Sequence, residues 1–212
     1  MPPAAALIFD MDGLLLDTER LYFQATQEVV EPHGLTVTTA IYADWIGREV
    51  TPEELVATFP CPLMPQDFIE QLRANFHRLV REELALLPGV LAFLDGVAAP
   101  YPKAIASSTR RETIDANLRQ VGLLARFPVR VSGRDVPRGK PAPDVFLEAA
   151  RQLGVAPEAC VVFEDSPHGV AGAAAAGMRA VAVPTEYTAH LPFPGACLRV
   201  GRLDEVRADW LR

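Results

Sequence analysis

The chain has 212 residues, half of them apolar, with 27 acidic against 20 basic side chains and a formal net charge of −7. That apolar content suits one full domain, or a core with a smaller insertion, and excludes a disordered chain. An acidic balance without a lysine/arginine cluster speaks against nucleic acid and acidic membranes as partners, although a few local donors and a metal can still hold a phosphate.

Three cysteines, Cys61, Cys160 and Cys197, lie far apart with no metal-like spacing. Their odd number excludes a complete disulfide framework and points to a reducing compartment. The N-terminus Met1-Pro2-Pro3-Ala4 lacks the basic region of a signal peptide. No apolar run approaches the ~20 residues that cross a bilayer. The expectation is a soluble cytoplasmic protein, monomeric or a weak homodimer.

In chain order, Ala6-Leu7-Ile8-Phe9 is a continuous apolar run, as in a strand buried on both faces of a parallel sheet. It ends in Asp10-Met11-Asp12-Gly13, two carboxylates spaced i, i+2. Acids at the carboxyl end of such a strand lie where open α/β sheets bind ligands. Two anions so close repel unless a cation neutralises them, and a hard divalent ion such as Mg²⁺ is the natural companion. Taken alone, the stretch also reads as a strand ending in an Asp-Gly turn.

Asp17 or Thr18 can cap a helix running to about Pro32-His33-Gly34, with Leu21, Ala25, Val29 and Val30 on one stripe. Further helices are expected over Thr39 to Ile46, after the capping box Thr51-Pro52-Glu53-Glu54, and from Gln66 to Leu84. No strand is expected between Asp17 and Leu86. Apolar strands then end at Ile105 and cover Val129 to Val131, Cys160 to Phe163 and Ala180 to Val183. Helices over Arg110 to Val121, Asp144 to Leu153 and Pro167 to Ala176 separate them. The alternation predicts an α/β fold, a Rossmann-like parallel sheet made by residues 1–15 and 87–212, with residues 16–86 inserted as a small helical cap. The proline-rich stretch from Pro184 to Gly195 reads as a surface connection.

Three further pieces fall at strand ends. Ser107-Ser108-Thr109 precedes a helix, where hydroxyls and N–H groups can receive an anion. Capping is the competing explanation, and Thr109-Arg110-Arg111-Glu112 is itself a capping box. Lys140, in Gly139-Lys140-Pro141-Ala142-Pro143-Asp144, offers a point charge to an anion, and taken singly is equally a solvated loop lysine. Glu164-Asp165-Ser166-Pro167 places two more acids at a strand end, with Ser166 suited to cap the next helix.

Together the four pieces resemble the haloacid dehalogenase superfamily of phosphoryl-transfer enzymes. The likeness covers its Asp-x-Asp-Gly-x-x-x-Asp opening, its Ser/Thr strand end, its Lys-Pro-x-Pro-Asp loop and its Glu-Asp-Ser-x-x-Gly close. Gly169, Ala175, Gly177 and Met178 extend the last. The inserted segment resembles the helical-cap branch that includes β-phosphoglucomutase-like and phosphoglycolate-phosphatase-like proteins.

The resemblance implies an aspartyl-phosphate mechanism. Asp10 would be the nucleophile and Asp12 the general acid and then base. Mg²⁺ would be held by Asp10, Asp12 through its backbone carbonyl, and Asp165, with Glu164 direct or through water. Ser107, Ser108 and Lys140 would hold the phosphoryl oxygens. In Gly47-Arg48, which resembles a cap element of the family, Arg48 would reach the rest of the substrate. Tyr22, Trp45 and His77 are further cap candidates that read equally as core or surface. Mutase relatives carry a histidine where Tyr22 falls. The expected activity is therefore hydrolysis of a small phosphomonoester, with a β-phosphoglucomutase-like phosphotransferase as the alternative and a non-catalytic phosphate sensor behind it.

Overall fold

The structure is a computed structural model and describes residues 2–46 and 50–212. The strands are β1 (Ala6–Phe9), β2 (Lys103–Ser107), β3 (Val129–Ser132), β4 (Cys160–Glu164), β5 (Arg179–Ala182) and β6 (Ala196–Arg199). The helices are α1 (Thr18–Val30), α2 (Thr39–Ala43), α3 (Pro52–Thr58), α4 (Pro65–Glu83), α5 (Val90–Asp95), α6 (Arg111–Gln120), α7 (Asp144–Leu153), α8 (Pro167–Ala175) and α9 (Ala208–Leu211). All strand pairings are parallel, in the order β3-β2-β1-β4-β5-β6. The chain divides into two compact units, Met1–Leu16 with Leu86–Arg212, and Asp17–Ala85.

In the first unit β1 lies between β2 and β4, and its four residues are wholly buried. Alternate side chains serve opposite faces, as the period of two requires. Ala6 and Ile8 join Ala104, Ala106, Val162 and the buried sides of α7 and α8 in one cluster. Phe9 points the other way. Its ring stacks on Phe163 at 4.9 Å and meets Phe127 edge-on at 5.6 Å and Phe93 at 6.1 Å. Two dry faces explain why β1 reads as an unbroken apolar run.

Register then sets the chemistry. Phe9 pairs with Ile105 on one side and Phe163 on the other. The residue after Phe9 is Asp10, and the one after Phe163 is Glu164, so the two carboxylates emerge side by side. The Asp10 N–H donates to the Phe163 carbonyl at 3.0 Å, holding the strand straight to its last residue. Gly13 then turns the chain at φ 76°, a left-handed conformation that a side chain would resist.

Three of these elements, β6, α5 and the C-terminal α9, have no counterpart in the sequence expectation. An edge strand, β6, follows the proline-rich connection, and a short helix, α5, precedes β2. In β6 burial only alternates between partial and exposed, so it lacks the long apolar run that marks the inner strands. The helix expected to Ile46 is shorter, ending at Ala43.

Among its described residues the second unit is built from helices and connecting loops, with no named strand. Its apolar interior comes from Leu21, Ala25 and Val29 of α1 and Phe68, Leu72 and Leu79 of α4. An ion pair between Arg78 and Glu28 at 2.6 Å ties the two helices at their surface. The Thr51 capping box and its proline at the first helical position form as the sequence predicts. No side-chain bond caps α1, because the Asp17 carboxylate accepts from Arg20 Nε at 2.7 Å instead.

Candidate active site

All the described site residues singled out in the first unit sit at or just beyond the carboxyl ends of β1, β2 and β4, or in the loop before α7. The centre is the Lys140 ammonium. It donates to Asp10 Oδ1 and, at 2.5 Å, to Glu164 Oε1. The side chains of Lys140, Asp10 and Glu164 are 5 %, 10 % and 1 % exposed, so this is a buried three-group cluster. The Phe146 ring lies 5.1 Å below the ammonium and adds a cation–π contact. Lys140 precedes a cis peptide bond to Pro141.

Burial would pull the Lys140 ammonium down, but the charges of Asp10 and Glu164 outweigh it and hold its pKa above the ordinary lysine value. Burial pushes the Asp10 carboxyl up, to about 8, with Lys140 opposing and the anions of Glu164 and Asp12 adding to the rise. One ammonium therefore serves two buried carboxylates, with the Asp12 charge adding to the negative surroundings of Asp10.

Asp12 is held from the neighbouring strand. Its Oδ2 accepts from Thr109 Oγ1 at 2.7 Å and Ser107 Oγ at 3.2 Å. The capping box expected at Thr109 does not form. The helix α6 begins at Arg111 with Arg110 at its cap position and no side-chain cap bond. The Thr109 hydroxyl is oriented by a tertiary partner that local sequence cannot reveal.

Glu164 is fixed on its other oxygen, where Oε2 accepts from the Ser166 N–H at 3.1 Å and from Ser166 Oγ at 2.9 Å. Ser166 also caps α8, its Oγ accepting from the Gly169 N–H at 3.1 Å. A Cβ placed on Gly169 would overlap the Glu164 carboxylate, whose three heavy atoms all lie within 3.0 Å of it. Glycine is thus required at 169 because the carboxylate occupies its side-chain space. The sequence shows Gly169 as part of a motif without revealing that reason.

Asp165 is buried, at 3 % exposure, and its carbonyl accepts from Thr188 Oγ1 at 2.9 Å. Ser108 is exposed. Arg48 lies outside the described residues. In the helical unit, Trp45 is core, its ring edge-on to Phe59 at 5.6 Å. Tyr22 meets Phe76 at 5.4 Å, and His77 is exposed.

A family model for haloacid dehalogenase-like hydrolases matches residues 7–183, a span that contains Asp10, Asp12, Ser107, Thr109, Lys140, Glu164 and Asp165. The chain belongs to that family. It is 40 % identical over 197 residues to the "Probable pseudouridine-5'-phosphatase" of Drosophila melanogaster, covering 86 % of this chain and 85 % of that one. It is 38 % identical over 184 residues to the "Phosphorylated carbohydrates phosphatase" of Thermotoga maritima, covering 83 % of each. Among solved structures, a family hydrolase from Deinococcus radiodurans R1 with bound phosphate and sodium superposes with a TM-score of 0.82 at 30 % identity, covering 98 % of this chain and 95 % of that one. Within this family member, no helix among the described residues is long and apolar enough to cross a membrane.

Among the described residues no three histidine, cysteine or acidic side chains already surround one point as a metal cage. The donor chemistry nevertheless suits a hard cation. Asp10, Asp12, Glu164 and Asp165 supply only oxygen. Burial first, then the Glu164 and Asp12 charges, disfavours the Asp10 anion despite Lys140, a cost that a further cation would offset. Glu164 stands apart in this set, since both of its oxygens are engaged by Lys140 and Ser166.

Proposed function

We propose that this chain is a Mg²⁺-dependent phosphoric monoester hydrolase acting on a small phosphorylated metabolite of the sugar-phosphate class, with the Asp17–Ala85 unit as its cap. The observation that carries the reading is the meeting of Asp10 and Glu164 on the one buried ammonium of Lys140. A buried lysine between two carboxylates at strand ends is an expensive arrangement for stability alone. It suits a centre that receives a phosphoryl group.

In this reading an Asp10 carboxylate oxygen attacks phosphorus. The bond from phosphorus to the ester oxygen breaks as Asp12 gives its proton to that oxygen. Asp12 then takes a proton from water as the water oxygen attacks the aspartyl phosphate, which releases inorganic phosphate and restores Asp10. Lys140, with Ser107 and Ser108, holds phosphoryl oxygens and offsets the charge that gathers on them. Asp10, Asp12 and Asp165 would hold Mg²⁺, with Glu164 held back by Lys140 and Ser166. The ion, when bound, supplies the positive charge that lets an anionic nucleophile approach an anionic phosphate.

The test is a panel of phosphomonoesters with Mg²⁺, read as released phosphate, with Asp10→Asn and Asp12→Asn in parallel. Phosphate release that needs both acids and stops with chelator supports the reading. Wild-type turnover by Asp10→Asn would falsify the nucleophile. Isomerised sugar phosphate in place of free phosphate would make the chain a phosphotransferase.

A further inference from the structure

The Thr109 hydroxyl has no duty in helix α6, yet its position is tightly set. Its backbone N–H donates to Ser107 Oγ at 3.1 Å, and its carbonyl accepts from Ser132 Oγ at 2.8 Å. Ser132 is wholly buried at the end of β3, and its Oγ also accepts from the Arg134 N–H at 3.1 Å. The Gly133 N–H donates to the Ser107 carbonyl at 2.7 Å, and a Cβ on Gly133 would sit only 3.2 Å from Ser108 Cα. The two turns that follow β2 and β3 are therefore locked together. From this rigid platform Thr109 Oγ1 reaches Asp12 Oδ2 at 2.7 Å, closer than the 3.2 Å of Ser107.

We infer that Thr109 is a positioning residue that aims the Asp12 carboxyl at the leaving oxygen, and this rests on the general-acid role given to Asp12 above. The Thr109 hydroxyl donates to Oδ2, and does so whether or not the single Ser107 O–H turns to a phosphoryl oxygen, so the proton that Asp12 delivers is carried on Oδ1. Rotation of the carboxyl about its Cβ–Cγ bond would turn that proton away from the ester oxygen. The Thr109 bond opposes the rotation. Asp12 lies on a half-buried turn at the end of β1, and its orientation is set from the neighbouring β2 platform.

Chemistry separates this role from phosphate binding or simple scaffolding. An alkyl phosphate leaves as a basic alkoxide and needs the proton, whereas p-nitrophenolate leaves without it. General acid catalysis contributes roughly 10²–10⁴-fold where it is needed. Thr109→Val should thus lower kcat/KM for an alkyl phosphomonoester about tenfold to hundredfold and leave kcat/KM for p-nitrophenyl phosphate within about threefold. Thr109→Ser, which keeps the hydroxyl, should restore both, and melting curves should show all variants folded. An equal fall on both substrates, or no fall on either, overturns the inference. Asp12→Asn is run beside them. If it lacks the same dependence on leaving group, the general-acid reading of Asp12 fails; if it shows the dependence and Thr109→Val does not, only the inference fails.

Discussion

Gly169→Ala puts the architecture of the acidic cluster to a test in which two physical effects have opposite signs. Gly169 is the third residue of α8, and helix propensity alone would make alanine more stable there by up to about 1 kcal/mol. The added methyl, however, falls on the Glu164 carboxylate, which is 1 % exposed and bonded on both oxygens. The carboxylate must withdraw, breaking its bonds to Lys140 and to the Ser166 N–H and Oγ. Disrupting a buried, hydrogen-bonded ion pair typically costs about 3–5 kcal/mol, which exceeds the propensity gain. The net loss of about 2–5 kcal/mol corresponds, for a chain of this size, to a fall in Tm of roughly 4–20 °C. Thermal melting by circular dichroism reads it, with Gly139→Ala as control, since a Cβ at 139 meets nothing within 4 Å and should change stability by about 0.5 kcal/mol at most. Phosphatase activity should fall with Gly169→Ala, because Lys140 loses one of its two anchors. A Gly169→Ala protein that melts at or above the wild-type temperature with full activity would refute the packing argument.

Lys140→Met leaves Asp10 and Glu164 buried without their cation. It should destabilise the protein by about 3–5 kcal/mol near neutral pH and abolish turnover, as a denaturant melt and a phosphate assay would show. Acid should shrink the stability deficit, since protonated carboxyls need no partner. Asp10 holds its proton more tightly folded, at about 8, than unfolded, at 3.8. Between these values the folded state binds more protons, so the metal-free protein should lose stability as pH rises through that window. The slope should flatten in Asp10→Asn; equal slopes in melts with chelator would refute it. A cation that needs the Asp10 anion should bind more tightly as pH rises toward 8, by up to about tenfold per unit. Mg²⁺ titration calorimetry at pH 6 and pH 8 checks this, and equal affinities would count against a metal on Asp10.

The linear chain already carried the parts with strong local signals. The inner strands are legible because a strand dry on both faces must be apolar without interruption, as Ala6–Phe9 and Cys160–Phe163 are. The helix at Pro52 and the helix over Asp144–Leu153 are legible because caps, prolines and a 3.6-residue stripe are short-range. Asp10, Asp12, Lys140, Glu164 and Asp165 stand out for a similar reason, as charges where an apolar run stops or a proline-fixed loop begins. Only the tertiary structure decides who meets whom. The strand order sets β1 between β2 and β4, which brings Asp10 to Glu164 and Asp12 to Ser107 and Thr109. Thr109 reads locally as a helix cap and takes up a carboxylate 97 residues away. Gly169 reads as a motif letter and proves to be the space a carboxylate fills. Hydrophobic periodicity is a property of neighbours in sequence, whereas the register of parallel strands and the direction of a hydroxyl depend on partners a hundred residues distant.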